Sequence, residues 1–263
     1  MESSKILNLS KRVVVKVGSS LLTNLNGGIR RSVLDNIVKD ISWLIKKKKE
    51  IIIVSSGAIA IGRGKLSLER ELSLNESQAV AARGQIELIN AWQKSFKKRN
   101  IQVAQILLSP EDVLNKKPSD NAKSTINTLW SLDCTPIINE NDTTSTDEIK
   151  FGDNDILAAQ ISKLMKADCL ILLSNVDGLF ESNPSNKSKS KLVANVKIIS
   201  QNIKAMAGVA SKNGKGGMIS KIKAAEICTK SKCSVIIASG LKNDPVRSLA
   251  KSNTKATFFF AKK

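Results

Sequence analysis

The stretch Arg12-Val13-Val14-Val15-Lys16-Val17-Gly18-Ser19-Ser20, residues 12–20, decides the fold class. Its first six residues form a run rich in valine, which is typical of a β-strand with little exposed surface. The glycine and the two serines that follow stop this run and predict a turn. Apolar strands of this kind, when they alternate with helices, indicate a sheet that is covered by helices.

Further strands and helices alternate along the rest of the chain. Apolar runs predict strands at 51–54, 101–108, 135–138, 169–173 and 234–238, and a closing strand at 254–261. Helical spacing predicts helices at 30–48, 75–98, 153–165 and 217–230, with Asn75 as the cap of the second helix and Ser109 as the cap of a further one. This alternation predicts an α/β fold with a mainly parallel central sheet sandwiched between helices.

Nothing in the sequence divides the chain. We find no linker and no repeat, so we expect a single domain over residues 1–263, with an ordered core from about residue 11 to residue 261. The stretch 181–191 is rich in Ser, Asn and Lys, which predicts a mobile loop.

The composition excludes several kinds of chemistry. The chain has 263 residues and no histidine, so Ser-His-Asp and Cys-His catalysis and histidine metal ligands are excluded. No run of about 18 apolar residues exists and the N-terminus lacks the apolar segment of a signal peptide, so we expect no membrane span. The four cysteines are scattered, which favours a reduced, cytoplasmic protein.

The charge is uneven. The formal net charge is +19, and residues 181–263 hold 17 basic and 3 acidic residues. This excess raises a nucleic-acid-binding hypothesis, but no aromatic residue lies between 181 and 253 to stack on bases, so we do not expect nucleic acid as the main partner. Solvated surface lysines are the simpler explanation of the excess. By contrast, residues 140–155 hold six acids and one lysine.

Small, polar or charged residues follow every predicted strand. Because ligands of parallel sheets bind at the carboxyl ends of the strands, these residues are expected to share a site. Lys16 and Lys221, together with glycine turns at Gly18 and Gly217, suit a phosphate ligand. The chain has no Gly-x-x-x-x-Gly-Lys-Ser/Thr loop and no Gly-x-Gly-x-x-Gly after the first strand, so two common nucleotide folds are disfavoured.

Five segments of the chain match a known family. They are VKVGSS at 15–20, IVSSGAIAIG at 53–62, PIINENDTTSTDEIKFGDND at 136–155, LLSNVDGLF at 172–180 and GKGGMISKIKAA at 214–225. With these segments the chain, from about Lys11 onward, resembles the glutamate 5-kinases of the amino acid kinase family. The stretch 139–155 is the most specific. Many members continue into a C-terminal domain similar to RNA-modification modules, and this chain resembles a form without that domain.

The resemblance implies ATP-dependent phosphorylation of the γ-carboxylate of L-glutamate to L-glutamyl 5-phosphate, the first step of proline biosynthesis. It implies ATP and Mg²⁺ as cofactors, with Mg²⁺ held through the ATP phosphates and no protein metal site. It also raises proline as a feedback inhibitor, handover of the product to a glutamyl phosphate reductase, and a homo-oligomer. The alternative interpretation is a carbamate kinase or an acetylglutamate kinase, which would have the same fold but a different substrate.

The resemblance also implies roles for individual residues. Lys16 and Lys221 would stabilise the transferred phosphoryl group, and Asp155 would orient both lysines. The family's glutamate-binding positions match Ser56, Asp142 and Asn154. Its nucleotide-binding positions match Lys16, Gly18, Ser174, Asn175, Lys215, Gly216, Gly217, Met218, Ile219, Ser220 and Lys221. Asn175 stands where some members have Asp.

Overall fold

The structure is a computed structural model, and it describes residues 2–144, 153–182, 190–208, 217–251 and 254–262. The strands are β1 (Arg12–Val17), β2 (Glu50–Val54), β3 (Gln102–Leu108), β4 (Cys134–Glu140), β5 (Cys169–Ser174), β6 (Asn195–Val196), β7 (Ser234–Ser239) and β8 (Ala256–Phe259). The helices are α1 (Glu2–Leu9), α2 (Ser19–Leu22), α3 (Arg31–Lys46), α4 (Ala58–Lys65), α5 (Leu74–Lys97), α6 (Pro110–Leu114), α7 (Lys116–Ser131), α8 (Asn154–Leu164), α9 (Gln201–Ala205) and α10 (Met218–Lys230), followed by a 3-10 helix at Arg247–Ala250.

The described strands form one sheet in the order β3-β4-β2-β1-β5-β7-β8-β6. Strands β1 to β5 and β7 run parallel to one another, whereas β8 is antiparallel to β7. The chain leaves β1 toward β2 on one side and later crosses to β5 on the other side, so the strand order reverses at β1. Such a switch point opens a crevice at the carboxyl ends of the two strands, where ligands bind. The predicted α/β fold with a mainly parallel sheet is confirmed.

Both faces of the sheet are buried, which explains the uninterrupted apolar strands. On one face Val13 and Val15 pack with side chains of α3 and α5, among them Ile41 and Trp92. On the other face Val14 packs with side chains of α7, α8 and α10. Alternate residues of each central strand therefore enter two separate hydrophobic layers, as expected for a parallel sheet between helices.

Helices α4 and α5 cross at very short range. A Cβ atom on Gly84 would overlap the carbonyl oxygen of Ala58, and one on Gly62 would overlap the carbonyl oxygen of Val80. Only glycine fits at these two positions, and the crossing holds α5 against the turn that follows β2.

The long helix α5 begins earlier than the sequence prediction. Ser73, and not Asn75, is its cap: the Ser73 hydroxyl accepts from the Glu76 N–H, and the Glu76 carboxylate accepts from the Ser73 N–H. Asn75 is an exposed residue of the first turn. The prediction of Asn75 as the cap was wrong because both residue types favour this position and Ser73 also has a glutamate three residues later. The cap at Ser109 is confirmed.

The far edge of the sheet also differs from the prediction. The predicted closing strand is present as β8, but it runs antiparallel to β7 and is not the outermost strand. The short strand β6, which pairs with β8, forms that edge instead. Phe258 and Phe259 are buried in β8, so neither ring is available to stack on a nucleic-acid base. Most of the predicted mobile loop, residues 183–189, lies outside the described residues.

Candidate active site

The central feature of the crevice is a buried cluster of three charges. Asp155, in the first turn of α8, has no exposed surface, and Lys16 and Lys221 are 5% and 6% exposed. Lys16 Nζ lies 2.5 Å from Asp155 Oδ1, and Lys221 Nζ lies 2.9 Å from Asp155 Oδ2. Each oxygen of one carboxylate thus holds a different lysine, one from β1 and one from α10.

The lysines also determine the charge state of Asp155. Burial alone would raise the pKa of this carboxyl group, but the charges of Lys16 and Lys221 and their hydrogen bonds outweigh burial and leave the pKa below its ordinary value. Asp155 is therefore ionised near neutral pH, and it lies between two lysines. Two ammonium groups in a water-poor crevice are donors that an anionic ligand can use.

A second carboxylate, that of Asp153, lies beside Lys16. Asp153 Oδ1 accepts from the N–H of Asp155 at 2.9 Å, which caps α8, and lies 3.8 Å from Lys16 Nζ. Asp153 Oδ2 is buried and has no hydrogen-bond partner in the described part of the chain. A buried acceptor without a partner is costly, so it is a candidate contact for a ligand. Sequence reasoning counted Asp153 among the acids of 140–155 but gave it no role; its place as the cap of α8 was the available signal.

Side-chain amides form the wall of the crevice between β2, β4 and α8. Asn154 Nδ2 donates to the backbone carbonyl of Ser55 at 2.5 Å and to Asn139 Oδ1 at 2.7 Å. Asn139 Nδ2 in turn donates to Gln85 Oε1 of α5 at 2.7 Å. The Ser55 hydroxyl accepts from Trp92 Nε1 at 2.9 Å. Of these residues, sequence reasoning assigned a role to Asn154 alone.

The predicted substrate residues Ser56 and Asp142 lie at two neighbouring strand ends. Ser56 follows β2 and is half-buried, and the next residue, Gly57, has φ = 108°. This left-handed conformation favours glycine and turns the chain sharply into α4. Asp142 follows β4 and is half-buried. The acids Asp147 and Glu148 of the same stretch lie outside the described residues.

The first glycine turn lies between β1 and the short helix α2. The N–H of Gly18 donates to the carbonyl of Leu173 on β5 at 3.3 Å, so this amide is engaged within the sheet. Gly18 then caps the four-residue helix α2. The N–H groups at the start of α2 are the donors that the turn can present to a ligand, because the first N–H groups of a helix lack helical partners.

The second glycine turn leads into α10. Gly217 caps this helix, and Met218, Ile219, Ser220 and Lys221 form its first turn. The Ser220 hydroxyl lies 3.1 Å from Asp155 Oδ2, so the first turn of α10 is docked on the charged cluster. The predicted residues Lys215 and Gly216 lie outside the described residues.

The predicted nucleotide residues on β5 lie across the sheet from the amide wall. Ser174, 8% exposed, ends β5; its carbonyl accepts from the N–H of Gly240 after β7, and its hydroxyl lies 3.2 Å from Asn175 Oδ1. Farther out, Lys242 Nζ lies 2.5 Å from Asp177 Oδ1. The ends of β5 and β7 are thus joined beside Lys16 and Lys221, whereas the amide wall lies on the β2 and β4 side.

Fold and site together define a doubly wound α/β protein with a lysine-lined crevice for anionic ligands at its switch point. The model of the family described as "Amino acid kinase family" matches residues 11–239. This chain belongs to the amino acid kinase family.

Curated relatives narrow the position within that family. The chain is 46% identical over 255 residues to the glutamate 5-kinase of Pelagibacter ubique, covering 96% of this chain and 69% of that protein. It is 43% identical over 260 residues to the glutamate 5-kinase of Clostridium acetobutylicum, covering 98% of this chain and 97% of that protein. The resemblance to glutamate 5-kinases is therefore confirmed. The chain covers nearly the whole Clostridium protein but only 69% of the Pelagibacter protein.

Solved structures share the fold at low sequence identity. The UMP kinase of Ureaplasma parvum superposes with a TM-score of 0.67 at 15% identity, covering 95% of this chain and 98% of that chain. The isopentenyl phosphate kinase of T. acidophilum superposes with a TM-score of 0.65 at 15% identity, covering 94% and 99%. These likenesses support the fold alone.

Proposed function

We propose that this chain transfers the γ-phosphoryl group of ATP to the γ-carboxylate of L-glutamate, giving L-glutamyl 5-phosphate for proline biosynthesis. The observation that carries the proposal is the buried Lys16–Asp155–Lys221 cluster, in a chain whose curated relatives are glutamate 5-kinases. A γ-carboxylate oxygen forms a bond to the γ-phosphorus while the bond from that phosphorus to the β–γ bridging oxygen breaks, leaving ADP.

The reaction needs charge neutralisation more than proton transfer. Both reactants are anions, and the attacking carboxylate is already ionised near neutral pH, which suits a chain without histidine. We assign to Lys16 and Lys221 the stabilisation of the negative charge on the transferred group. Asp155 is fully buried and bound to both lysines, which suits the positioning of these two side chains and does not suit contact with an anionic substrate.

The acceptors of the amide wall suit the glutamate ammonium group. Asp153 Oδ2 has no partner in the described part of the chain, and both hydrogen bonds of Asn154 use its NH₂ group and leave its carbonyl oxygen to accept. Asp142, at the end of β4, adds a second carboxylate. We therefore assign Asp142, Asp153 and Asn154 to the ammonium, and Ser56 to a polar end of the same substrate. An ammonium in a water-poor site requires such acceptors.

Donors on the other side of the crevice suit ATP. We assign Ser174 and Asn175 to the nucleotide, together with the turn at Gly18 that leads into α2. We also assign the segment from Lys215 to Lys221, where backbone amides and lysines favour phosphate.

The donor set also bears on Mg²⁺. Among the described residues, no group of three His, Cys, Asp or Glu side chains could hold a metal ion, and Asp155 is engaged by lysines. These residues fit an Mg²⁺ that arrives on the ATP phosphates, the usual arrangement for this ion. When bound, it would neutralise phosphate charge.

Several further features belong to the same proposal. An acyl phosphate is labile, so we propose that a glutamyl phosphate reductase takes up the product. We also propose that proline inhibits this enzyme and that the chain forms a homo-oligomer, as the family resemblance implies. The four cysteines are free, which is consistent with a reducing compartment such as the cytoplasm. Separately, no helix in the described ranges is both long and apolar enough to cross a membrane.

A substrate panel tests the proposal. Purified chain, ATP and Mg²⁺ are incubated with L-glutamate, L-aspartate or N-acetylglutamate, and the acyl phosphate is trapped with hydroxylamine. We expect hydroxamate from glutamate and little from the other two. Equal turnover of all three, or a preference for N-acetylglutamate, would contradict glutamate as the substrate.

The variant Asp142→Ala locates the substrate side of the crevice. We expect the KM for glutamate to rise at least tenfold, because the ammonium loses a charged acceptor, while the KM for ATP changes less than twofold. Asp120→Ala, which removes an exposed aspartate of α7, is the matched control. A change confined to the KM for ATP would show that the assignment of Asp142 is wrong.

A further inference from the structure

A chain of amide groups connects α5 to the crevice. It runs from the Ser55 carbonyl to Asn154, from Asn154 to Asn139 and from Asn139 to Gln85, with distances of 2.5, 2.7 and 2.7 Å. The last of these residues, Gln85, lies on α5 and was not among the residues that the sequence suggested for the site.

The orientation of each side-chain amide in this series of hydrogen bonds is fixed. A backbone carbonyl can only accept, so Asn154 must turn its NH₂ group toward Ser55 and its carbonyl oxygen away. The same NH₂ group donates to Asn139 Oδ1, so the NH₂ group of Asn139 must point to the next residue. Gln85 therefore presents Oε1, its acceptor, to Asn139.

The burial of Asn139 makes the acceptor of Gln85 important. Asn139 is 2% exposed, so water cannot replace a lost partner of its NH₂ group. A buried donor without an acceptor is unfavourable, and the side chain would rotate to find another. Rotation of Asn139 would remove Oδ1 from Asn154, which then keeps only one of its two acceptors.

The backbone that carries Gln85 is rigid. Its neighbour Gly84 is in close contact with α4, where a Cβ atom would overlap the Ala58 carbonyl oxygen. Leu88, one turn later, is buried in the core. The close crossing of α4 and α5 thus fixes the distance from Gln85 to the end of β4.

We infer that Gln85 is a positioning residue for the substrate: through Asn139 it holds Asn154 with its carbonyl oxygen facing the ammonium group of glutamate. Gln85 need not touch the substrate itself. This inference rests on the proposed function, because it assigns the ammonium of glutamate to Asn154.

The test compares two substitutions on the same helix. Gln85→Leu removes the acceptor at similar size, and Gln93→Leu makes the same change at an exposed glutamine two turns later. We expect Gln85→Leu to raise the KM for glutamate roughly three- to tenfold, the loss of one hydrogen bond, with kcat and the KM for ATP within twofold of the wild type. Gln93→Leu should match the wild type. Gln85→Met, which also lacks the acceptor, replaces Gln85→Leu if that variant does not fold by circular dichroism.

A double-mutant cycle separates positioning from general support of the fold. If Gln85 acts through Asn139, the Gln85 substitution should have no further effect on the KM for glutamate in an Asn139→Ala background. An undiminished effect in that background, or a Gln85 variant equal to Gln93→Leu, would overturn the inference while the wild type still phosphorylates glutamate. A wild-type chain that yields no glutamyl hydroxamate would instead overturn the proposed function and the inference with it.

Discussion

Asp155 shows how one side chain can join two distant parts of a crevice. Each of its two oxygens binds one lysine, and these two lysines lie 205 positions apart in the sequence. The residue types and the glycine turns indicated an anion site, and the family resemblance supplied the roles. The hydrogen bonds of Gln85 and Asn139 could not be predicted, because they depend on the side-chain directions of three separate elements.

The variant Lys221→Ala tests the proposed catalytic role of a single charged residue. Removal of one positive charge from the water-poor crevice should lower kcat about 10²- to 10³-fold, because the transferred phosphoryl group loses a preorganised partner. Lys223→Ala removes an exposed lysine of the same helix and should leave kcat unchanged. Phosphate transfer is measured by ADP release, with circular dichroism as the check on folding. Unchanged turnover in Lys221→Ala would show that the lysine has no catalytic role.

At the scale of elements, the strands were the easiest to predict. β-Branched runs such as Ile51-Ile52-Ile53-Val54 have few alternatives to a buried strand, and β2 (Glu50–Val54) extends that run by one residue. Helix α7 (Lys116–Ser131) was not predicted. Its buried residues are Ser119, Ala122 and Ile126, which are too few to form a clear apolar stripe. Strand β6 is two residues long, which is too short for any periodic signal.

The start of α5 offers a prediction that separates two neighbouring residues. Ser73→Ala should destabilise the protein by about 1 kcal/mol, because the N–H of Glu76 loses its side-chain acceptor. Asn75→Ala should change stability by less than about 0.5 kcal/mol, since Asn75 is exposed within the first turn. Urea unfolding of both variants measures the difference. The opposite ranking would mean that the helix begins at the residue that the sequence pattern favoured.

At the scale of the whole molecule, strand order was beyond the reach of sequence patterns. The alternation of strands and helices predicts a parallel sheet, but it does not say that β4 inserts between β3 and β2 or that β8 turns antiparallel. Those choices place the ends of β1, β2, β4 and β5 side by side. Among the lysines that the structure describes in residues 181–263, Lys221 is buried and most of the others are exposed, which is consistent with a solvated basic surface.

The buried lysines also lower the stability that the folded protein could otherwise reach. Asp155→Leu leaves Lys16 and Lys221 in a crevice with no carboxylate between them, and should destabilise the chain by about 3–5 kcal/mol. A triple variant, Lys16→Met with Asp155→Leu and Lys221→Met, removes all three charges and should be the more stable of the two, although inactive. Urea unfolding compares them, and a triple variant less stable than the single one would contradict this expectation. Selection for activity would then maintain a cluster that selection for stability alone would replace with hydrophobic side chains.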